Sequence, residues 1–340
     1  MTVDPEIPVP PRTYGGIERI VSALAKELQI RGHTVGLVAH PDSTCQVNAF
    51  YPWVGLRSRK HIDSWSNILA LRNAVSEFKG DVLHSFSRIL YMLPFLRKRL
   101  PKIMSYQRAP TPRSVRLGAA LGKESLAFTG CSEYICRSGG KAGGEWHTVH
   151  NFVDIDLYQF QPVAAADAPL VFLSRIERIK GAHTAIAVAR RTGRRLIIAG
   201  NHADSGPEFD YWMREIKPQV GGKIEYCGPV DDAQKNVLLG EAAAMIVPIE
   251  WDEPFGIVFA EALACGTPVI SCPRGALPEI VRHGIDGFLT RSVDEACEAV
   301  ANVHKVDRSA CRRRAEDRFS AAVIAAQYES LYGELIARLQ

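Results

Sequence analysis

The sequence has no pair of cysteines at CxxC spacing, although it contains eight cysteines in 340 residues. Cys131 and Cys136 are five positions apart and Cys265 and Cys272 seven, so the spacing of a zinc ribbon or a thioredoxin-like redox site is excluded. No apolar run approaches the roughly 20 residues that a membrane-spanning helix needs. Sequence repeats and low-complexity tracts are also missing, which argues against solenoids and repeat arrays.

An N-terminal apolar stretch of the kind found in secretion signals is missing too. The scattered cysteines then fit a reducing compartment, so we expect a cytoplasmic protein, with contact to the cytoplasmic face of a membrane as an alternative. The net charge of +4 is small. It favours anionic ligands such as nucleotides or acidic lipids, but it is far below that of dedicated nucleic-acid-binding proteins, so we expect no nucleic-acid partner.

What the sequence does contain is a regular alternation of short β-branched runs with helical segments, which predicts an α/β fold with parallel sheets. Apolar residues at helical spacing predict a first helix at 17–30. A linker is expected at 151–168, and we predict domains at 1–155 and 165–320 with an amphipathic C-terminal helix at 321–340. The expected strands are 34–39, 82–85, 103–106, 127–130, 170–174, 196–199, 224–227, 244–248 and 268–271.

The segment 248–269 combines a breaker-rich loop with an unusually apolar helix. Glu253 and Gly256 lie in the loop, and the helix 257–265 is apolar on every face except at Glu261. Such a helix is normally buried, and a lone buried carboxylate needs hydrogen-bond donors. The hydroxyls of a ribose would serve, and the free amides at the helix start would suit a phosphate. Pairing of Glu261 with a core arginine or a backbone amide is an equal alternative.

A second cluster is the basic loop SRIERIKG at 174–181. Arg175, Arg178 and Lys180 crowd the N-terminus of a helix expected from Ala182, where each cation is unfavourable by roughly 0.3–1 kcal/mol. A bound diphosphate would turn this repulsion into a binding site. A solvated basic loop explains the same residues equally well.

Paired glycines mark the start of the first helix. Tyr14, Gly15 and Gly16 directly precede it, and glycines there allow a ligand to approach the backbone closely. Taken alone, such a pair more often indicates a plain loop.

These stretches, with one further segment, resemble motifs of family 4 of the retaining glycosyltransferases. The order and separation of the motifs also fit that family, and the resemblance covers about residues 14–335. It implies a GT-B fold, in which two Rossmann-like domains face each other across the active-site cleft. The four matching stretches are EPFGIVFAEALACGTPV (253–269), SRIERIKG (174–181), YGGIERIVSALAKELQIRGH (14–33) and NFVDIDLY (151–158).

The resemblance also implies roles for individual residues. Arg175 and Lys180 would grip the donor diphosphate and stabilise it as leaving group, Glu253 would contact hydroxyls of the donor sugar, and Glu261 would hold the ribose diol. The other donor-binding residues implied are Gly15, Gly16, Phe255, Gly256 and Ile257.

The activity implied is the transfer of a hexosyl group, with retention, from a nucleoside diphosphate sugar to a hydroxyl acceptor. Neither a metal ion nor a cofactor is expected, and the acceptor could be a saccharide, a lipid or a small molecule. Two alternatives are an epimerase or hydrolase of nucleotide sugars on the same scaffold and a non-catalytic nucleotide-sugar-binding protein.

The sequence departs from the family pattern in two places. Its opening, MTVDPEIPVPPRTYGG, is rich in proline, so we expect the usual first strand to be missing and its neighbours to be unpaired, as in a chain begun late. Restored upstream residues should then raise the yield of folded protein. At 81–88, Phe86 stands where relatives commonly have a histidine, and His84 is expected as either a core residue or a catalytic contact.

Three weaker signals are interpreted structurally. Asp154 and Asp156 spell DxD, the metal-binding motif of another glycosyltransferase fold, but they lie in the junction segment. His147 and His150 lack neighbouring zinc ligands. The basic run 96–102 fits a solvated helix end better than a membrane contact.

Overall fold

The computed structural model describes residues 1–12, 15–58 and 60–340, and the chain forms two compact units. The N-terminal unit comprises Met1–Asn151 together with Ala321–Gln340, and the C-terminal unit comprises Phe152–Ser320. The last segment therefore groups with the first unit, although it follows the second in sequence.

The N-terminal unit is built around a parallel sheet with helices in the crossovers. Strands β1 and β2 pair with each other, and β3, β4, β5 and β6 form a second parallel group in that order. The elements are α1 (Gly16–Ile30), β1 (Gly36–Ala39), β2 (Ala49–Pro52), α2 (His61–Phe78), β3 (Leu83–Ser85), β4 (Lys102–Tyr106), α3 (Pro112–Gly122), β5 (Leu126–Gly130), α4 (Glu133–Gly140) and β6 (Glu145–Thr148).

The opening residues join the two groups of strands, so the expectation of unpaired neighbours at this position is wrong. Thr2 makes parallel bridges to both Val38 of β1 and Ser85 of β3. Its amide donates to the His84 carbonyl at 2.9 Å, and the Val3 amide donates to the Val38 carbonyl at 3.2 Å. The prolines that argued against a strand all come after Val3, where the backbone has already left the sheet.

The C-terminal unit contains one parallel sheet in the order β12-β11-β10-β7-β8-β9. Its strands β7, β8, β10 and β11 consist mainly of buried aliphatic residues, as expected for strands covered on both faces. The elements are β7 (Leu170–Leu173), α5 (Ala182–Thr192), β8 (Leu196–Ala199), α6 (Gly206–Tyr211), β9 (Ile224–Gly228), α7 (Asp232–Glu241), β10 (Ala244–Val247), α8 (Ile257–Ala264), β11 (Val269–Ser271), α9 (Leu277–Ile280), β12 (Gly287–Leu289), α10 (Val293–Asn302) and α11 (Arg308–Phe319).

The final helix, α12 (Ala321–Leu339), packs on the N-terminal unit through Tyr328, Leu331 and Leu335, all buried. A buried polar network lies beneath it. The His84 ring bonds to the Tyr332 hydroxyl at 2.7 Å and to the Ser105 hydroxyl at 2.6 Å. Burial holds the pKa of His84 well below its usual range, so the imidazole is neutral. Of the two readings of His84, the structure supports the core residue.

Within the described ranges, no helix is both long and apolar enough to cross a lipid bilayer. In the basic run 96–102, Arg97, Lys98 and Arg99 are exposed, whereas Lys102 is anchored in the fold. Lys102 is buried, and its ammonium donates to the carbonyls of Lys98 and Leu100 and to the Ser125 hydroxyl at 2.7 Å. Burial lowers the pKa of Lys102 to about 8.

Candidate functional site

The C-terminal sheet has a topological switch point between β7 and β10. From β7 the chain winds outward through β8 and β9 on one side, and from β10 through β11 and β12 on the other. In open parallel sheets, ligands bind outside the carboxyl ends of the strands at such a point. The loops that follow these two strands, 174–181 and 248–256, contain Arg175, Lys180 and Glu253.

The two loops are joined by backbone and side chain. The Glu250 amide donates to the Ile179 carbonyl at 2.8 Å, which fixes the spacing of the loops. The buried Lys180 ammonium then donates to Oε2 of Glu253 at 2.6 Å. Trp251 completes the group: its indole N–H donates to the same Glu253 oxygen at 3.0 Å, and its ring lies 4.6 Å beneath the Lys180 ammonium. Sequence reasoning found the ion pair's residues but missed Trp251.

A glycine turn that follows the neighbouring strand, β11, holds the Glu253 backbone in place. The Ala276 amide donates to the Glu253 carbonyl at 2.9 Å. Gly275 has a φ of +56°, and a Cβ there would lie 2.2 Å from the Glu253 carbonyl oxygen. Only glycine fits such a position. This contact was not predicted, although Gly275 closely follows β11, at the same edge of the sheet.

The three cations of the basic loop each have a carboxylate partner, so the predicted uncompensated crowding at the start of α5 is wrong. Arg175 pairs with Glu177, and Lys180 pairs with Glu253. Arg178 pairs with Glu215, and its guanidinium lies 4.8 Å over the Tyr211 ring. Arg178 is thus tied to the α6 segment, whereas Lys180 is tied to Glu253.

Helix α8 begins at a glycine that the local geometry requires. Gly256 has a φ of +81°, and a Cβ on it would lie 2.5 Å from the Phe259 ring. Gly256 is the N-cap residue and has no side chain with which to cap the first amides of the helix, although the Phe259 amide bonds to the Gly256 carbonyl at 3.1 Å. Phe255 is buried and packs edge-on against Phe319 at 5.6 Å. Its ring therefore anchors the loop and is not exposed to a ligand, so the contact predicted for Phe255 stays a prediction for its backbone alone.

Glu261 lies on α8 and is nearly buried. Its Oε1 accepts a hydrogen bond from the Lys235 ammonium at 2.7 Å, and that ammonium also lies 5.6 Å from the centre of the Tyr158 ring. Burial and the nearby Glu261 charge raise the pKa of Tyr158. The partner of Glu261 is therefore a lysine, and not the core arginine or backbone amide named as the alternative to a ribose. The capping box of Asp231 and Gln234 starts α7 and so places Lys235 in its first turn, but nothing in the sequence links Lys235 to Glu261.

In the N-terminal unit, the predicted glycine loop lies beside a group of carboxylates. Gly15 precedes α1, and a Cβ on it would lie 2.6 Å from Pro11 and 2.8 Å from a Glu18 oxygen. Gly16 begins α1, and Tyr14 lies outside the described residues. Asp4 and Glu18 were not predicted. Burial, reinforced by Glu6, raises the pKa of Asp4 to about 6, and burial raises that of Glu18 as well.

The remaining weak signals have structural explanations. Asp154 accepts from the Asp156 amide at 3.2 Å and caps a short turn. His147 bonds to Glu145 at 2.8 Å. In the part of the chain that the structure describes, no group of three or more histidine, cysteine, aspartate or glutamate side chains is placed to hold a metal ion.

The chain has two α/β units, each with parallel strands, and the solved structures that match it over nearly its full length have the GT-B fold. Family models match nearly the whole chain. Residues 14–157 match the model described as Glycosyltransferase Family 4, and residues 157–317 match the one described as Glycosyl transferases group 1. The chain belongs to glycosyltransferase family 4 and is a glycosyltransferase.

Among curated proteins, the chain is similar to N-acetyl-alpha-D-glucosaminyl L-malate synthase of Bacillus anthracis. The identity is 24% over 218 residues, covering 58% of this chain and 55% of the relative. It is also similar to D-inositol 3-phosphate glycosyltransferase of Mycobacterium bovis, with 32% identity over 153 residues, covering 42% of this chain and 32% of the relative. The chain thus matches about half or less of the length of these relatives.

Solved structures match over almost the full length. AviGT4, a glycosyltransferase involved in avilamycin A biosynthesis, has a TM-score of 0.73 at 25% identity, covering 99% of this chain and 97% of that one. Alr3699/HepE of Anabaena, in complex with UDP and glucose, has a TM-score of 0.72 at 18% identity, covering 98% of each chain. At that identity the second likeness establishes the fold alone.

Proposed function

We propose that this glycosyltransferase moves a hexosyl group from a nucleoside diphosphate sugar to a hydroxyl acceptor, with retention of configuration and without a metal ion. The observation that carries the proposal is the Lys180–Glu253 pair at 2.6 Å, held between two loops at the switch point and beside the start of α8. Two further facts support it. Glu261 lies on the same helix, and a protein of the same fold has been solved with UDP-glucose.

The proposed donor contacts follow from charge and from available atoms. Arg175, Lys180 and the first amides of α8 provide positive charge and hydrogen-bond donors for a diphosphate. Both hydrogen bonds to Glu253, from Lys180 and Trp251, reach Oε2, so among the described residues Oε1 remains available to a sugar hydroxyl. Glu261 would accept the ribose hydroxyls while Lys235 holds its other oxygen in place.

In the proposed reaction, the bond between the anomeric carbon and the diphosphate oxygen breaks. The acceptor oxygen forms its bond to that carbon on the face that the diphosphate leaves. The acceptor proton passes to the departing diphosphate oxygen, so no separate base is needed. Charge develops on the diphosphate as the bond breaks, and donors fixed in place before the reaction stabilise it. Single donors of this kind contribute roughly 10²–10³-fold in rate.

The same cations make a divalent metal dispensable in this proposal. Arg175 and Lys180 would neutralise the diphosphate charge that a metal ion neutralises in enzymes built around a DxD motif. Transfer should therefore persist in excess EDTA. Loss of activity with EDTA and its recovery with Mg²⁺ or Mn²⁺ would contradict this part of the proposal.

The experiment that tests the donor is a thermal-shift screen against UDP, GDP, ADP and their sugar conjugates. A ligand at ~100 times its dissociation constant should stabilise the protein by about 2.7 kcal/mol. We expect one nucleotide family to raise Tm. If none does, with the protein folded, the donor proposal fails. The stereochemistry is tested separately, by NMR of the anomeric proton in the product: a product with the inverted configuration would contradict retention.

A further inference from the structure

Helix α2 exposes an apolar face in addition to the one that it buries. Ile68, Leu71 and Ala74 pack into the core of the N-terminal unit. On the outer face, Ile62, Trp65 and Leu69 are 80%, 69% and 56% exposed. Their spacing of three and four residues places these three side chains side by side along the helix. A surface helix normally has polar residues there, so this face needs a further explanation.

The loop before α2 exposes two further large apolar side chains. Val54 and Leu56 are also exposed, so five large apolar side chains emerge within 16 residues. Among the other described residues, exposed large apolar side chains are scattered singly, which is normal for a protein surface, except for Leu157, Phe160 and Val163. Several such side chains within one short segment instead indicate a contact with a partner or a membrane. We call Val54, Leu56, Ile62, Trp65 and Leu69 the α2 surface.

Basic side chains border the α2 surface. Residues 54–72 include four lysines or arginines and one acid, Asp63. Arg57, Lys60 and Arg72 are exposed, and the Asp63 carboxylate accepts from the Arg57 amide at 3.0 Å. Arg88 adds another cation, because its guanidinium bonds to the Ser58 carbonyl. Glu6, whose carboxylate accepts from the Ser58 amide at 2.7 Å, is a second acid beside Asp63, and the cations still outnumber these two acids.

We propose that the α2 surface docks this protein on an anionic lipid bilayer, with Ile62, Trp65 and Leu69 entering the interface and the basic border facing lipid headgroups. Tryptophan is favoured at the boundary between headgroups and hydrocarbon, and a helix with large apolar residues flanked by lysine and arginine lies flat there. A second copy of the chain fits less well. A two-fold contact would place the same cations of both copies close together.

This inference goes beyond the proposed function, and its test does not use transfer activity. The purified full chain is mixed with vesicles of phosphatidylcholine alone, or of phosphatidylcholine with about one quarter phosphatidylglycerol, and the bound fraction is measured by flotation. We expect binding to the anionic vesicles only. Raising the salt from about 0.1 M to about 0.5 M should weaken it, because screening shortens the range of the attraction.

Tryptophan fluorescence reports where the contact lies. Trp65 is largely exposed, whereas Trp53 and Trp212 are buried. Entry of Trp65 into the interface should shift the emission to shorter wavelength, and Trp65→Phe should remove most of that shift. A shift of unchanged size in Trp65→Phe would place the contact elsewhere and overturn the proposal.

The chain offers a matched pair of variants. Ile62 and Ile30 are 80% and 68% exposed in the same unit, but only Ile62 belongs to the α2 surface. Ile62→Ser should lower the vesicle partition coefficient about tenfold, and Ile30→Ser should leave it unchanged. Equal losses in both variants would overturn the proposal, as would no binding to anionic vesicles by the wild type. Light scattering tests whether the α2 surface instead binds a second copy of the chain. If the wild type is a dimer that Ile62→Ser dissociates, and the wild type does not bind vesicles, the α2 surface would be assigned to a second copy.

Discussion

The two units treat their buried carboxylates differently. In the C-terminal unit, Glu253 and Glu261 each accept a hydrogen bond from a lysine, at 2.6 Å and 2.7 Å. In the N-terminal unit, the partly buried Asp4 lies 3.9 Å from Arg108 and is influenced by the charge of Arg88, and its Oδ1 has no hydrogen-bond partner within the described residues. Burial raises the pKa of Asp4 to about 6.

This difference indicates that the two units contribute to different parts of the proposed reaction. The C-terminal carboxylates are oriented by cations of their own unit, which is the preorganisation that recognition of a constant group such as a nucleotide requires. The N-terminal unit keeps a buried carboxylate oxygen unsatisfied, at a cost in stability. Because Asp4 follows the residues paired with β1 and β3, it lies at the carboxyl edge of that sheet, where a second substrate would be bound.

The largest effect is expected from breaking the Lys180–Glu253 pair. Lys180→Met leaves a buried carboxylate without its cation, which should cost about 3–5 kcal/mol of unfolding free energy and abolish transfer. Adding Glu253→Gln removes the unpaired charge, so the double variant should regain most of the stability but no activity. Urea denaturation and a transfer assay measure the two effects. A single variant as stable as the wild type would show that the pair does not hold the loops.

A smaller loss, confined to catalysis, is expected for Arg175→Ala. Its side chain is partly exposed and its partner Glu177 lies two residues away, so removal should change the unfolding free energy little. Loss of a diphosphate contact should lower kcat/KM by roughly 10²–10³-fold.

The matched control for Arg175→Ala is Arg178→Ala, three residues along the same loop. Arg178 forms an ion pair with Glu215 and lies over the Tyr211 ring, so its replacement should leave transfer nearly unchanged. If both variants lose activity to the same degree, the diphosphate is not assigned to Arg175 specifically.

The sequence predicted the interior strands of both units well and missed strands at the edges. The three missed strands, β2, β6 and β12, each border a sheet. A central parallel strand is covered on both faces, so its sequence is a continuous apolar run, such as LVFL at 170–173. An edge strand has one neighbouring strand and is partly exposed to solvent. The edge strand EWHT at 145–148 therefore has no continuous apolar run from which it could be predicted. The exception in the interior is the opening segment between β1 and β3, which was missed because only residues 1–3 pair, before the prolines begin.

Glu261 was predicted because a charge interrupts an apolar stretch, whereas Lys235 and Trp251, which donate to Glu261 and Glu253, were not predicted. Glu261 stands out because its helix is otherwise apolar. Lys235 and Trp251 are ordinary residues in sequence, and they become functional candidates only when the fold brings them to Glu261 and Glu253. Family resemblance could not supply Asp4 either, because the opening segment is where this chain departs from the family pattern.

Asp4 gives a pH-dependent prediction for the N-terminal unit. Its pKa rises from 3.8 to about 6 on folding, so the folded state binds the proton more tightly than the unfolded state. The stability contributed by protonated Asp4 is present below about pH 4 and is lost as the pH rises to about 6, on the order of 2–3 kcal/mol in all. Asp4→Asn should therefore raise Tm at pH 7 and flatten its dependence on pH between these values. Unchanged pH dependence would show that Asp4 is not the group responsible.

The smallest effect is expected at Glu261, and a ligand change isolates it. Glu261→Gln keeps the shape but weakens both the Lys235 contact and any bond to ribose, so the Kd for the preferred nucleotide should rise about tenfold. The 2′-deoxy form of that nucleotide lacks one of the hydroxyls in question. Wild-type protein should bind the deoxy form about tenfold more weakly, while Glu261→Gln should bind both forms alike, as measured by titration calorimetry. If the variant still binds the two forms with different Kd, another group contacts the ribose hydroxyl. The pairing of Glu261 with Lys235 would then serve only to hold α8 against α7.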